Sequence, residues 1–273
     1  MKKFLMLRLS YGKMARWKVL TLTILSLAIL QLTTGCNGFK EPEKFIIGLD
    51  EEYAPFGFRN EKNELVGFDI DLAKEAARRM GVVFDFKPID WDTKEDALDS
   101  KRIDIIWNGL DITPERKEKI LFSKPYMDNR QVIFVVKGTA QDFYSEYDLE
   151  GKIVGTQAGS NSVTYIVHNH DLMLSLRGLK TYHSYINAFN ALDDGEIDVL
   201  VCDELAGRYE MSRHIDKFDM PEVPVGPVTE IGIGFRKDDV ELRDRVQKVF
   251  DEMIKDGTAK KISKQWFQAD LVK

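Results

Sequence analysis

Hydrophobic positions beyond residue 44 follow two alternating patterns. Continuous apolar runs are typical of buried strands, whereas apolar residues three and four positions apart are typical of amphipathic helices. Strands are predicted at 45–49, 82–89, 103–107, 131–136, 152–155, near 180 and at 199–201. Helices are predicted at 69–80, 93–100, from 161, at 186–193 and as a pair over 240–267 broken at Gly257. This alternation indicates an α/β fold with parallel-rich sheets flanked by helices.

One segment of the chain recurs in pattern. Residues 97–106 align without a gap with residues 191–200, at an offset of 94, and the same offset places Trp91 over Tyr185. Any helix–turn–strand unit would produce part of this match. The other interpretation is that the chain contains two lobes of similar construction, since a period this long does not indicate a solenoid.

The first 35 residues have the pattern of a targeting segment. All six basic residues of this segment precede an apolar run at 19–30, and the segment contains no acid. The run has the length of a signal-peptide core and is too short to favour a membrane-spanning helix. We therefore expect residues 1–35 to be a signal peptide, with a short transmembrane anchor as the alternative. Met1 and Met14 are both possible start residues.

The end of this segment resembles the lipobox of bacterial lipoproteins. The sequence Leu-Thr-Thr-Gly-Cys closes at Cys36, although Thr33 stands where a lipobox usually has leucine. The resemblance implies cleavage before Cys36, lipidation of that cysteine and a linker over 36–43. Stable anchoring needs more than one acyl chain, and a lipidated cysteine would supply them.

The composition is that of a globular protein with an acidic body. Apolar residues make up 44% of the 273 residues and charged residues 31%, which fits one large or two medium domains rather than a disordered, collagen-like or multi-span membrane protein. Residues 36–273 carry 33 basic and 45 acidic side chains, a formal charge of −12, so no nucleic-acid partner is expected. Cys36 and Cys202 are too few for a disulfide scaffold or a four-cysteine metal site. No metal and no cofactor are expected.

Chemistry-bearing residues follow three of the predicted strands, where open α/β sheets bind their ligands. They are Asn108, Gly109, Asp111 and Arg116 after 103–107, Gln157, Ser160 and Asn161 after 152–155, and Asp203 after 199–201. A helix that begins near Ser160 directs its positive end at an anion. Arg116 can bind a carboxylate through two parallel hydrogen bonds, and Asp203 can bind an ammonium. Together these groups predict a receptor for a zwitterion.

Two of these residues have an ordinary structural explanation when taken alone. Arg116 would more often form a surface ion pair with Glu115 or Glu118. Asp203 would more often be the N-cap of a helix that begins at Glu204. The prediction of a binding site therefore depends on the combination of groups at neighbouring strand ends.

Three motifs carry a resemblance to a known family. Residues 53–56 (Tyr-Ala-Pro-Phe), 65–73 (Leu-Val-Gly-Phe-Asp-Ile-Asp-Leu-Ala) and 109–116 (Gly-Leu-Asp-Ile-Thr-Pro-Glu-Arg) together resemble the polar amino-acid binding proteins of bacterial ABC importers, the extracellular solute-binding family 3. The resemblance covers about residues 43–268.

The resemblance implies a two-lobed periplasmic-binding-protein-like fold of type II. Its hinge would be two crossing strands, near 128–131 and 229–232. Lobe 1 would contain residues 44–129 plus 232–273, and lobe 2 residues 130–231.

The resemblance also implies roles for the candidate residues. Arg116 would bind the α-carboxylate, helped by the backbone of Gly109 and Asp111 and by Ser160, and Asp203 would bind the α-ammonium. The side chain of the ligand would be flanked or selected by Tyr53, Trp91, Asp50, Asn108 and Gln157. Asp111 and Asn161 stand where many relatives have serine or threonine. The extra carboxylate of Asp111 favours a basic or other polar amino acid.

The function that the resemblance implies is that of the substrate-binding component of an amino-acid ABC importer. Such a protein closes around a free amino acid by hinge motion and presents the closed shape to an ABC permease. It would be a monomer without enzyme activity, outside the cytoplasm, anchored to the cell membrane through Cys36 on the periplasmic side or cell surface. Two other functions use the same pocket. One is a cyclohexadienyl dehydratase-like enzyme, with Glu204 or Asp111 as general acid or base, and the other is a sensory amino-acid-binding module.

Overall fold

The computed structural model describes residues 41–273 and builds them around two five-stranded sheets. The predicted signal peptide and Cys36 lie outside the described residues, as does most of the predicted linker. Within residues 41–273, no helix has both the length and the apolar character that a membrane span requires. Glu43–Lys273 forms one compact unit.

The secondary-structure elements are numbered in chain order. The strands are β1 (Lys44–Leu49), β2 (Glu52–Tyr53), β3 (Gly57–Arg59), β4 (Leu65–Val66), β5 (Val83–Pro88), β6 (Ile105–Ile106), β7 (Ile120–Phe122), β8 (Met127–Asn129), β9 (Gln131–Val136), β10 (Ile153–Gln157), β11 (Gly178–Tyr182), β12 (Val199–Asp203), β13 (Phe218–Asp219), β14 (Thr229–Ile231) and β15 (Gly234–Arg236). The helices are α1 (Phe68–Met80), α2 (Lys94–Asp99), α3 (Pro114–Lys119), α4 (Asn161–His168), α5 (His170–Ser175), α6 (Tyr185–Asp193), α7 (Glu204–Arg213), α8 (Val240–Lys255) and α9 (Thr258–Phe267).

The two large sheets have the same design. The first has the order β5-β1-β6-β15-β7 and the second the order β11-β10-β12-β9-β13. In each sheet the first three strands are parallel and the last two pair antiparallel. We call the part built on the first sheet the first half and the part built on the second sheet the second half. The strands β8 and β14 pair with each other and connect the halves, so the expected two-lobed architecture with crossing strands is confirmed.

The recurring sequence pattern corresponds to a repeated structural unit. In the first half, the Asp104 carboxylate accepts a hydrogen bond from the backbone N–H of Ile46 at 2.8 Å. In the second half, the Asp198 carboxylate accepts one from the backbone N–H of Ile153 at 2.7 Å. Each aspartate thus ties the turn before a central strand to the neighbouring parallel strand, and the two halves share this construction.

Most predicted elements are present, with shifted ends. The helix predicted at 69–80 is α1, and it ends at Gly81, whose φ of 67° is the left-handed conformation that glycine adopts readily. The helix predicted at 93–100 is a 3-10 turn at Trp91–Thr93 followed by α2. The strand predicted at 103–107 is shorter, because the N–H of Ile103 still closes the turn after α2 by bonding to Ala97.

Candidate functional site

A small cavity lies where the carboxyl ends of the central strands of both sheets face each other. The following ten residues line it: Asp50, Tyr53, Trp91, Gly109, Asp111, Arg116, Gln157, Ser160, Asn161 and Asp203. All ten belong to the set predicted from sequence. The remaining member, Asn108, is fully buried behind the wall, where its Oδ1 accepts a hydrogen bond from the backbone N–H of Asp50 at 2.9 Å.

Arg116 supplies the cationic group in the wall of the cavity. It lies on α3, a helix that begins with proline and is capped by the Thr113 hydroxyl, which accepts a hydrogen bond from the N–H of Arg116 at 3.3 Å. The guanidinium donates to the Asp111 carbonyl at 3.0 Å and to the Gly159 carbonyl at 2.9 Å. Its nearest carboxylate is that of Glu95, at 3.6 Å. Arg116 is buried and does not form the surface ion pair with Glu115 or Glu118 that it would form as an ordinary surface residue.

Asp203 supplies a carboxylate on the opposite side. It occupies the N-cap position of α7, but its side chain makes no capping hydrogen bond. One oxygen accepts a hydrogen bond from the Tyr53 hydroxyl at 2.9 Å. The other accepts from the amides of Asn129 and Gln131, each at 2.5 Å. The side chain points into the cavity, and the N-cap explanation does not account for its contacts.

A second carboxylate, that of Asp111, lies beside Asp203. Asn129, on the crossing strand β8, donates from the same amide nitrogen to Asp203 and, at 3.0 Å, to Asp111. Thr229, on the other crossing strand, donates to Asp111 at 2.5 Å. Burial and the negative charge of Asp203 raise the pKa of Asp111 to about 6, against the opposing effect of Arg116. Asn129 was not among the residues predicted from sequence, although a crossing strand was expected near 128–131.

Asp50 provides a third carboxylate at another part of the wall. It follows β1 and accepts hydrogen bonds from the Gln157 amide at 2.6 Å and from the backbone N–H of Glu52 at 2.8 Å. Burial raises the pKa of Asp50, and these two hydrogen bonds oppose the increase. Gln157 also donates to the His183 carbonyl at 3.1 Å, which fixes the amide in the wall.

Aromatic rings form the apolar part of the wall. Tyr53 stacks on Phe56 with ring centres 5.0 Å apart, and Gly109 packs closely against the Tyr53 ring. Gly109 has a φ of 61°, and a Cβ there would lie 2.6 Å from the Tyr53 ring, so this approach requires glycine. Trp91 and Tyr185 are both nearly buried. Tyr185 lies 6.1 Å from Tyr53 between ring centres, and the repeat offset was the only sequence signal that linked it to the site.

Asp69 supports this wall from behind. Its carboxylate accepts hydrogen bonds from the N–H of Gly109 at 2.7 Å and from the Tyr126 hydroxyl at 2.8 Å. Complete burial raises the pKa of Asp69 to about 7. The first aspartate of the Gly-Phe-Asp-Ile-Asp motif therefore holds the Gly109 turn in place and does not face the ligand.

The start of α4 forms the part of the cavity nearest to Arg116. Ser160 caps this helix by accepting a hydrogen bond from the N–H of Val163 at 3.3 Å, and Asn161 is its first residue. Both side chains line the cavity. The positive end of the helix and the guanidinium together favour a carboxylate at this end.

The two halves are in direct contact around the cavity. Hydrogen bonds cross between them from Tyr53 to Asp203, from Gln157 to Asp50, and from both Arg116 and Lys94 to the Gly159 carbonyl. The cleft is therefore closed. Its wall contains three carboxylates and one guanidinium.

A closed cleft of this kind, at the strand ends of two α/β halves joined by crossing strands, defines a solute-binding protein of the type II fold. The sequence model for the bacterial extracellular solute-binding proteins, family 3, matches residues 45–269. The chain belongs to that family.

Among curated relatives, the L-cystine-binding protein TcyJ of Escherichia coli K12 is 33% identical over 239 residues, which cover 87% of each chain. A solved structure of an ABC uptake transporter substrate-binding protein from Streptococcus pneumoniae with bound histidine matches with a TM-score of 0.79 and 31% identity, covering 84% of this chain and 94% of that one. The ancestral amino acid-binding protein AncCDT-1, described as a precursor of cyclohexadienyl dehydratase, matches with a TM-score of 0.74 and 33% identity, covering 82% and 95%.

Proposed function

We propose that this protein captures a free amino acid in the cavity between its halves and delivers it to the permease of an ABC importer. The observation that carries the proposal is the presence of Arg116 and Asp203 in the wall of one closed cavity. A zwitterion has two opposite charges that must both be paired when water is excluded. The guanidinium of Arg116 and the carboxylate of Asp203 lie in one enclosed space and meet that requirement.

The α-carboxylate of the ligand would bind Arg116 and the start of α4 at Ser160. The guanidinium is held by the carbonyls of Asp111 and Gly159, which orient its remaining N–H groups. The α-ammonium would bind Asp203, whose oxygens already receive three hydrogen bonds that fix the carboxylate. The hydrogen bonds from Arg116 to the Asp111 carbonyl and from Gln131 to Asp203 each lie within one half and do not depend on closure. Side chains held in this way lose less conformational entropy on binding.

The charge of the wall favours a basic amino acid. The carboxylates of Asp50, Asp111 and Asp203 outnumber the guanidinium of Arg116. A ligand with two positive charges and one negative charge would compensate this wall better than a neutral zwitterion would. Tyr53 and Trp91 add aromatic faces that a cationic side chain can contact.

Binding would close the cleft by rotation of the halves about the crossing strands. We propose that the halves are the lobes expected from sequence, 44–129 plus 232–273 and 130–231. A ligand that contacts one half in the open state and both halves in the closed state shifts the equilibrium toward closure. The permease would then recognise the closed shape.

The protein would act outside the cytoplasm, as a monomer. The support is family membership together with the acidic body, which residues 36–273 would form after cleavage. Lipidation of Cys36 would hold the protein at the membrane, next to the permease.

Binding without catalysis is the proposed activity. Glu204, one of the two candidate general acids, does not line the cavity and is paired with Arg130 and with Arg208, the latter at 2.8 Å. These hydrogen bonds lower its pKa, which makes it a poor proton donor. The other candidate, Asp111, already accepts hydrogen bonds from Asn129 and Thr229.

A thermal-shift panel of the twenty amino acids plus cystine and ornithine tests the proposal. Binding to the folded state raises the unfolding midpoint by mass action. We expect the largest increase with arginine, lysine, ornithine or histidine. A response to no amino acid would refute the proposed function, and turnover of prephenate or arogenate would replace it with the enzyme alternative.

A further inference from the structure

Lys94 is a charged residue buried beside the cavity but outside its wall. It is the first residue of α2, its exposed fraction is 1%, and its Nζ lies 5.0 Å from the centre of the Trp91 ring. Lysine is almost never buried this completely unless its ammonium is paired. Burial, reinforced by the charge of Arg116, lowers the pKa of Lys94 to about 7.

Three oxygen atoms surround the Lys94 ammonium. It donates to the Trp91 carbonyl at 3.0 Å and to the Gly159 carbonyl at 2.8 Å, and it lies 3.5 Å from a carboxylate oxygen of Glu95. An ammonium has three donors, so this set satisfies it. Trp91 and Glu95 belong to the first half, as Lys94 does, whereas Gly159 belongs to the second. The shortest of the three contacts therefore crosses the cleft.

The Gly159 carbonyl accepts hydrogen bonds from two cations of the first half. Besides Lys94, Arg116 donates to it at 2.9 Å. Gly159 has a φ of 67°, and a Cβ there would lie 2.7 Å from the Cα of Asp92 and 2.9 Å from the Trp91 carbonyl oxygen. The backbones of the two halves thus approach each other here as closely as glycine allows.

We propose that Lys94 is a latch, whose ammonium binds the Gly159 carbonyl, stabilises the closed cleft and slows release of the ligand without contacting it. The proposal rests on the proposed function, because it requires a cleft that closes over a ligand. Opening would break the hydrogen bond to Gly159 and leave Lys94 with the acceptors of its own half and water.

Stopped-flow kinetics of Lys94→Met test the latch. The probe is L-arginine, or the panel amino acid that gives the largest thermal shift with the wild type. Methionine has a similar length and leaves no buried charge, so the unliganded protein should unfold at the same or a higher temperature. We expect the dissociation rate constant to rise on the order of tenfold, the size expected for one hydrogen bond from a charged donor. The association rate constant should not change, because the ligand enters an open cleft.

Lys180→Met is the matched control. Its Nζ donates to the Glu196 carbonyl at 3.0 Å, a contact between a lysine and a carbonyl that lies within the second half. Both rate constants of this variant should equal those of the wild type.

Gly159→Ala provides a second, independent variant. The added Cβ blocks the close approach, so dissociation should be faster, and adding Lys94→Met to this variant should have no further effect. If the ligand dissociates from Lys94→Met at the wild-type rate, the latch proposal is overturned. It is also overturned if faster dissociation is accompanied by a matching drop in the unfolding midpoint of the variant. Either result leaves the proposed function intact. Failure of the wild type to bind any panel amino acid would instead overturn the proposed function.

Discussion

We propose that the ammonium of the ligand pairs with the negative charge of Asp203. The exposed fraction of Asp203 is 5%, and its oxygens accept hydrogen bonds from Tyr53, Asn129 and Gln131. The substitution Asp203→Asn preserves the size of the side chain and one acceptor oxygen, and it removes the charge. It therefore tests the charge with little change in packing.

The expected loss of affinity follows from the pairing of buried charges. Removing one partner of a buried ion pair costs about 3–5 kcal/mol. Asp111 lies next to Asp203 on the shared Asn129 amide and can still interact with the ammonium. We therefore expect a loss of about 3 kcal/mol, which corresponds to roughly a hundredfold weaker binding.

The stability of the unliganded protein should not fall with the affinity. The charge of Asp203 contributes to the raised pKa of Asp111, so the two carboxylates repel each other when both are ionised. Asp203→Asn removes this repulsion, and the unfolding midpoint without ligand should stay the same or increase.

Titration calorimetry and thermal unfolding measure the two effects separately. Asp194→Asn, an exposed position on the second half, removes the same charge outside the cavity and should change neither quantity. Wild-type affinity in Asp203→Asn would refute the assigned role of this carboxylate. A loss of affinity accompanied by an equally large loss of stability would attribute the effect to misfolding instead.

Three further predictions concern the site and the framework that holds it. Burial raises the pKa of Asp69 from 3.8 to about 7, so the folded state binds a proton that the unfolded state has released, and stability should fall as pH rises through this window. Urea unfolding at about pH 5 and about pH 8 should show a smaller decrease in Asp69→Asn than in the wild type, because the substitution removes the contribution of Asp69 and leaves that of Asp111. Arg116→Lys should weaken binding by about 2 kcal/mol, roughly thirtyfold by calorimetry, because lysine cannot form two parallel hydrogen bonds; unchanged affinity would exclude a bidentate contact. Gly67→Ala should destabilise the fold by about 3 kcal/mol in chemical unfolding, since its Cβ would lie 2.2 Å from the Phe56 carbonyl oxygen. At Gly81 an added Cβ would have no atom within 4 Å, so Gly81→Ala should lower the free energy of unfolding by only about 1 kcal/mol. Equal losses of stability in the two variants would contradict the steric argument.

The strands and part of the cavity wall were predictable from local pattern, whereas the two-lobed fold and the roles of Asp50, Tyr53 and Trp91 were expected from the family resemblance. Hydrophobic periodicity located the central strands, and the ends of parallel strands converge wherever two such sheets face each other. This is why Gln157 and Asp203, which lie far apart in sequence, line one cavity.

The contacts that cross between the halves were not predictable in the same way. Lys94 begins a charged stretch, Lys-Glu-Asp, which by pattern alone is typical of a solvated helix end. Its ammonium donates to the carbonyl of Gly159, 65 residues away in the other half. Asn129 is a polar residue in a short crossing strand, and its role depends on two carboxylates that only the assembled fold brings to it.

A crystal structure of the protein with the amino acid that gives the largest thermal shift tests the central claim most directly. We predict the ligand carboxylate at about 3 Å from the Arg116 guanidinium and the ligand ammonium at about 3 Å from the Asp203 carboxylate, inside the cavity between the halves. An amino acid bound outside this cavity, or bound inside it with its ammonium away from Asp203, would contradict the account.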